Sequence, residues 1–267
     1  MGDTFTLYLR LLNLTLRGQM QYRASFILSL ISTGLISLFE FGALLLVLIE
    51  LETLAGWTIA ELAVLYGLVE FSFGLMDNIF DGFDPRNFGQ RVRLGTFDQM
   101  LLRPVPLITQ IMGSRFELRR IGRIVIGFAV AAAGILVIPM QWTLWKVVLL
   151  PMMVIGMVCF FGGLFVFGST VTFWTIESIE VMNILTYGGS YAMSHPVSIY
   201  PGWLRAFLTF IVPAIFLNYY PTLYLLDRPL PAGDWVAFLS PLVGIGVLWL
   251  AFRVFKIGIR YYQSTGS

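Results

Sequence analysis

Long apolar runs leave this chain few folds to adopt. Ala24 to Ile49, Thr58 to Phe80, Ile121 to Ile138, Leu144 to Ser169 and Trp235 to Phe255 are each 18 to 26 residues of predominantly apolar sequence. A helix needs about 20 such residues to cross roughly 30 Å of hydrocarbon. Buried strands are shorter, and the strands of a membrane barrel alternate in brief segments. With 58% of residues hydrophobic, 12% charged and a mean hydropathy of +0.83, the expectation is an all-α integral membrane protein. The single cysteine, Cys159, excludes an internal disulfide and any cysteine-based metal cluster.

Charge then sets topology. Arg10, Arg17 and Arg23 precede the first run, eight arginines from Arg86 to Arg123 lie between the second and third, and Arg253, Lys256 and Arg260 end the chain. Only Lys146, Arg205 and Arg228 remain for the other side. The positive-inside rule therefore places both termini and the 81–120 loop in the cytoplasm, which requires an even number of crossings. Six is the expected count. The fifth crossing falls either at 171–193 or at 203–226. The first is preferred, because residues 195–229 carry five prolines (Pro196, Pro201, Pro213, Pro221 and Pro229) and many aromatic residues. Such a segment suits an outer re-entrant or interfacial hairpin better than a continuous span.

One domain over 1–267 is thus expected. It comprises an amphipathic helix over 1–23, spans 1 and 2 over 24–80, a cytoplasmic loop over 81–120, spans 3 to 5 over 121–193, an outer hairpin over 194–234, span 6 over 235–256 and a tail over 257–267. The first 23 residues hold three arginines and no uninterrupted apolar core with a small-residue cleavage site, so no cleavable signal peptide is expected.

Catalytic chemistry has little to stand on. No G-x-x-x-x-G-K-[ST] occurs, and Lys146 and Lys256 follow Trp and Phe rather than Gly. The lone His195 has no second histidine or nearby cysteine with which to build a metal site or a triad. An enzyme is not expected, nor a nucleic-acid partner.

Two stretches carry a family likeness. "RLGTFDQMLLRPVPLITQIMGSRFELRR" resembles the cytoplasmic loop of ABC-2 type export permeases through Arg93, Gly95, Phe97, Asp98, Met100, Leu101, Arg103 and Pro104. "HPVSIYPGWLRAFLTFIVPAIFLNYYP" is similar to that family's segment after span 5, with Pro196, Pro201, Trp203, Leu204 and Arg205 preceding Pro213. The likeness covers essentially the whole chain and is nearest to the viologen exporter permeases.

That resemblance implies an ABC-2 exporter fold and partners to match: two separately encoded ABC ATPase subunits, a second permease chain identical or related to this one, and membrane lipid, in the bacterial inner membrane. ATP and Mg²⁺ would be bound by the ATPase, and this chain would hold no cofactor. Residues 86–104 would form a coupling helix, with Phe97, Met100 and Leu101 as an apolar knob and Arg91, Arg93, Asp98 and Arg103 as its polar rim. Pro104 and Pro106 would end the helix. Arg119, Arg120 and Arg123 read as retention charges against anionic headgroups.

Carboxylates at bilayer depth cost roughly 2.5–3.5 kcal/mol on insertion scales, so they face a cavity or a partner. Glu40, Glu70, Glu177 and Glu180 qualify. Glu177 and Glu180 share a helical face with Trp174 and could receive a flat organic cation, such as a viologen. The same pair also reads as hydrated or arginine-paired at the cytoplasmic end of span 5. Glu40 and Glu70 read equally as buried partners for Arg115 or for a second protomer. Lipid or glycolipid export, ion-coupled transport and a structural membrane subunit are the alternatives.

Overall fold

The computed structural model describes residues 2–21, 23–51, 53–175 and 180–263. Among these the chain is helical almost throughout, in the order α1 (Gly2–Met20), α2 (Arg23–Leu51), α3 (Ile59–Phe80), α4 (Pro85–Arg93), α5 (Thr96–Leu101), α6 (Leu107–Gly113), α7 (Ile121–Val137) and α8 (Leu144–Thr175). There follow α9 (Glu180–Asn183), α10 (Gly189–Met193), α11 (Gly202–Ala206), α12 (Tyr220–Leu225) and α13 (Ser240–Tyr261). Five helical stretches are long and apolar enough to cross a membrane, carried by α2, α3, α7, α8 and α13. The bent pair 202–211 and 215–225, which turns through 81°, would make a sixth if counted as one span.

Local chemistry fixes several boundaries. Thr58 caps α3 while Glu61 reaches back to the Thr58 amide, a reciprocal box that satisfies two amides left over at a helix start. Asp84 caps α4 by accepting from the Asn87 amide at 3.1 Å, with Pro85 in the first turn. Gly95 sits at φ +68°, where a side chain is strained, and this left-handed residue turns the chain between α4 and α5. The expected single helix over 86–104 is therefore two short ones.

The span boundaries differ from expectation at one place. α8 runs on to Thr175, so residues 171–175, expected to begin the fifth span, prolong the fourth. Residues 180–193 instead run back along α8. Met182 lies against Gly168, Tyr187 against Phe165 and Gly189 against Phe161. Asn218 then ties the top of this run to α3, donating to the carbonyls of Met193 and Leu65 at 3.1 and 3.2 Å.

The bundle has two chemically distinct ends. At one end lie α1, the 85–120 segment and the C-terminal residues. Tyr8 and Leu11 of α1 rest on Gly113, and Tyr262 packs on Phe97. At the other end Arg228 pairs with Glu61 at 2.7 Å and lies over the Trp57 ring, and Lys146 pairs with Asp227 at 2.6 Å. α2 is the least enclosed span and α3 the most. α1 leaves Leu14 and Met20 exposed beside Arg10 and Arg17, the mixed surface of an interfacial helix.

Candidate functional site

The 85–104 segment is held to the spans by an aromatic cluster. Phe88 of α4 and Phe97 of α5 meet at 5.3 Å between ring centroids, and both contact Phe173 of α8, at 5.5 and 5.4 Å. Phe255 of α13 joins Phe173 at 5.6 Å, and Phe83 joins Phe255 at 5.3 Å. Edge-to-face contacts of this kind contribute about 0.5–1.5 kcal/mol each beyond the area they bury. The short helices are thus packed into the bundle core against α8 and α13.

This corrects the expected role of Phe97. Its side chain is fully buried, so it anchors the loop instead of projecting from it. Met100 is half-buried and its carbonyl accepts from Gln110. Leu101 is exposed, and so are Arg93, Arg103 and Pro104. Arg91 turns inward and donates to Ser114 at 2.6 Å. Asp98 faces Tyr262, where burial and the Asp98 carboxylate push the Tyr262 phenol up to about 12. Sequence reasoning missed Leu94 and Leu102, which at 60% and 85% exposure are the most projecting apolar residues of the segment. Their signal is a leucine next to an arginine at the end of a short helix, Leu94 after Arg93 and Leu102 before Arg103.

Behind this platform lies an ionic network. Arg120 reaches Asp77 Oδ1 at 2.7 Å, Asp81 Oδ1 at 2.8 Å and Glu117 at 3.4 Å, and it also donates to the Asp77 carbonyl. Arg115 pairs with Asp81 and Glu117 at 3.2 and 3.0 Å. Partial burial alone would raise the Glu117 carboxyl, but the Arg119 hydrogen bond, the Arg120 charge and the Arg115 hydrogen bond hold it below the usual carboxylate range. Its contribution to stability is therefore full above the ordinary carboxylate range and lost as pH falls through that lowered value. Arg120 and Arg123 are consequently not headgroup contacts, as their clustering implied; both are consumed inside the bundle.

The second candidate is a cleft of about 210 Å³ at membrane depth, between α2, α3, α7 and the 184–194 run. Glu40 and Glu70 both line it, with Tyr66, Arg123, Tyr187 and Tyr191. Glu70 is buried and gripped by Arg123 through two hydrogen bonds of 2.7 and 2.5 Å, and the Arg123 guanidinium also lies over Phe73 at 4.4 Å. The partner of Glu70 is therefore Arg123, where the sequence offered Arg115. Ser37 donates to Glu70 as well, and Tyr66 donates to the Ser37 carbonyl. Glu40 is exposed into the cleft and has no ion pair among the described residues. Glu70 is paired with Arg123, so Glu40 is the carboxyl that the cleft offers without an ion pair among the described residues, and tyrosine rings wall it.

The remaining expected residues fall elsewhere. Trp174 is exposed near the end of α8, with its ring 6.2 Å from Tyr261, and does not line the cleft. Glu177 lies outside the described residues. Glu180 opens α9. Among the described residues no group of three or more His, Cys, Asp or Glu has the arrangement of a metal site.

Residues 35–266 match the sequence profile of a family described as ABC-2 family transporter protein. No curated relative and no solved structure matches the chain.

Proposed function

The chain belongs to the ABC-2 transporter family, and from that premise we propose that it is the permease subunit of an ATP-driven exporter in the bacterial inner membrane. In this reading both termini are cytoplasmic, two separate ABC ATPase subunits bind ATP and Mg²⁺, and a second permease chain completes the pathway. The observation that carries it is the loop platform. α4 and α5 are locked into the bundle through Phe88 and Phe97 while Arg93, Leu94, Leu101, Leu102 and Arg103 stand free at the basic end. An element rigid behind and apolar-and-basic in front is what a permease without its own P-loop needs to receive motion from an ATPase. Truncating an anchor at the centre of such a contact typically costs about 2 kcal/mol.

Leu94→Asp and Leu102→Asp should therefore reduce ATPase capture in affinity purification from membranes by more than about tenfold, with the permease itself still present at normal yield. Both side chains are exposed, so neither change disturbs the core. Undiminished capture by both variants removes the coupling role.

The cleft supports a hydrophobic or amphipathic cation, of the organic-cation or viologen class, as the exported substrate. The carboxylate of Glu40 supplies charge, and the rings of Tyr66, Tyr187 and Tyr191 supply faces that attract a cation. Glu40→Gln should lower resistance to a viologen several-fold at unchanged expression, and unchanged resistance would count against this substrate class. Lipid or glycolipid export is the second reading. It is favoured by the hydroxyls of Thr33, Ser37, Ser190 and Ser194, which line the same cleft and offer partners to a sugar or headgroup.

A further inference from the structure

α2 and α7 enclose a second feature, distinct from both candidate sites. Near the basic end a pocket of about 400 Å³ is lined by Gln19, Ser25, Phe26, Ser29, Glu117 and Arg119. Beyond it, where α2 faces α7, a groove of about 250 Å³ is almost wholly apolar, walled by Leu30, Leu35 and Leu38 of α2 and by Ile121, Val125 and Ile126 of α7. The change from polar to apolar takes one residue on α2, from Ser29 to Leu30, and two on the facing strand of chain, from Arg119 to Ile121. The two cavities share no wall residue but follow one another along α2 and the 117–126 stretch, a polar head and then an apolar shaft.

The head presents hydrogen-bond donors that the protein does not use. Arg119 spends its Nε on Glu117 at 2.6 Å, and its terminal nitrogens make no ion pair among the described residues. Its side chain is 56% exposed. Ser25 and Ser29 stand one helical turn apart on α2, and their hydroxyls donate to nothing among the described residues. The one carboxylate in the pocket, Glu117, is already held by Arg115, Arg119 and Arg120 and does not leave an uncompensated negative charge there. Gln19 is fully engaged, donating to the Phe116 carbonyl and accepting from the Leu118 amide, so it shapes the wall.

We infer that these two neighbouring cavities together bind one membrane phospholipid from the leaflet at the basic end, with its phosphate on Arg119, Ser25 and Ser29 and an acyl chain along α2 and α7. A free phosphate would use only the head, and a hydrocarbon only the shaft. The succession of the two, polar and then apolar at Ser29 and Leu30 of α2, fits a molecule that has both parts. A lipid seated there also bridges the elbow between the interfacial helix and the first span to the start of α7. This site does not depend on the direction of transport or on what powers it.

The experiment is native mass spectrometry of the detergent-extracted protein titrated with phosphatidylglycerol. Two variants are compared with the parent, Arg119→Ala combined with Ser25→Ala and Ser29→Ala, and Ile31→Trp. Ile31 is half-exposed at the groove mouth, so the indole fills the shaft without entering the core. The parent should retain one lipid per chain, and each variant should bind it about tenfold more weakly, the loss expected from charge-assisted hydrogen bonds or a blocked shaft. Equal retention by the parent and both variants overturns the proposal. So does displacement of the lipid by inorganic phosphate with Ile31→Trp having no effect, which marks a bare anion site. A change in oligomeric mass in Ile31→Trp, in place of lipid loss, assigns the groove to a second protein chain and overturns it equally.

Discussion

Arg120→Met should destabilise the protein by roughly 3–5 kcal/mol, enough to remove most folded material from the membrane. The reason is the company Arg120 keeps. Asp77 and Asp81 of the second span and its continuation have side chains 10% and 0% exposed, and Arg120 contacts both. Take the guanidinium away and Asp77 is left as an unpaired buried carboxylate, while Asp81 retains only Arg115 at 3.2 Å. Breaking a buried pair on one side costs far more than the pair contributes when intact, because the stranded charge has lost its water. The same logic gives the control: Asp77→Asn together with Arg120→Met removes the stranded charge and should recover part of the loss. Arg120→Lys should fall between, since one ammonium cannot span Asp77, Asp81 and Glu117 as a planar fork does. Detergent-solubilised yield and thermal unfolding by size-exclusion chromatography read all three. A double variant no better than Arg120→Met alone would show that the methionine fails for a packing reason instead.

This network also shows where sequence reading stops. The spans could be placed from length and polarity because the hydrocarbon thickness sets both, and the helices Arg23–Leu51, Ile59–Phe80 and Ile121–Val137 lie close to those runs. The basic loop was visible as a cluster, and charge alone sends all eight arginines to one side. Charge says nothing of depth. Arg120, just before α7, and Arg123 in its first turn meet Asp77 and Glu70 on α3 and Asp81 just after it, and only the pairing of those two helices reveals that retention charges are buried partners. Phe97 is a parallel case. An aromatic residue in a polar loop reads as a contact reserved for another protein until Phe88, Phe173 and Tyr262 are seen to enclose it. The extension of α8 to Thr175 escaped for a different reason. From 152 to 175 the sequence holds no proline and no charge that would mark an end, and bilayer thickness alone places the end of the span short of where the chain turns.

Two glycines on the last span should respond in opposite directions to a side chain. α8 and α13 cross at Gly156, Ser240 and Gly244, where the backbones touch. A Cβ on Gly244 would strike the Gly156 backbone, with the Gly156 carbonyl carbon at 2.7 Å, and a Cβ on Gly156 would strike the Ser240 backbone at 2.6 Å. Backbone does not yield as a side-chain end does. Close approach through small residues is how membrane helices associate when the hydrophobic effect gives no preference for protein over lipid. Gly244→Val should therefore separate the two helices and cost on the order of 3 kcal/mol, the upper range for overpacking. Gly246, two residues on, has nothing within 4 Å of where its Cβ would lie. There Gly246→Ala should be neutral or stabilise by up to about 1 kcal/mol, because glycine is the poorer helix former. The consequence reaches past stability. α13 delivers Phe255 to the cluster that seats Phe88 and Phe97, so any Gly244→Val protein that survives extraction should also have a loosened 85–104 platform. Hydrogen exchange over residues 85–104 measures this directly: faster exchange in Gly244→Val than in Gly246→Ala is expected. Equal rates would mean that the platform is held by Phe173 and α8 alone, and that motion imposed on it would not pass to the last span.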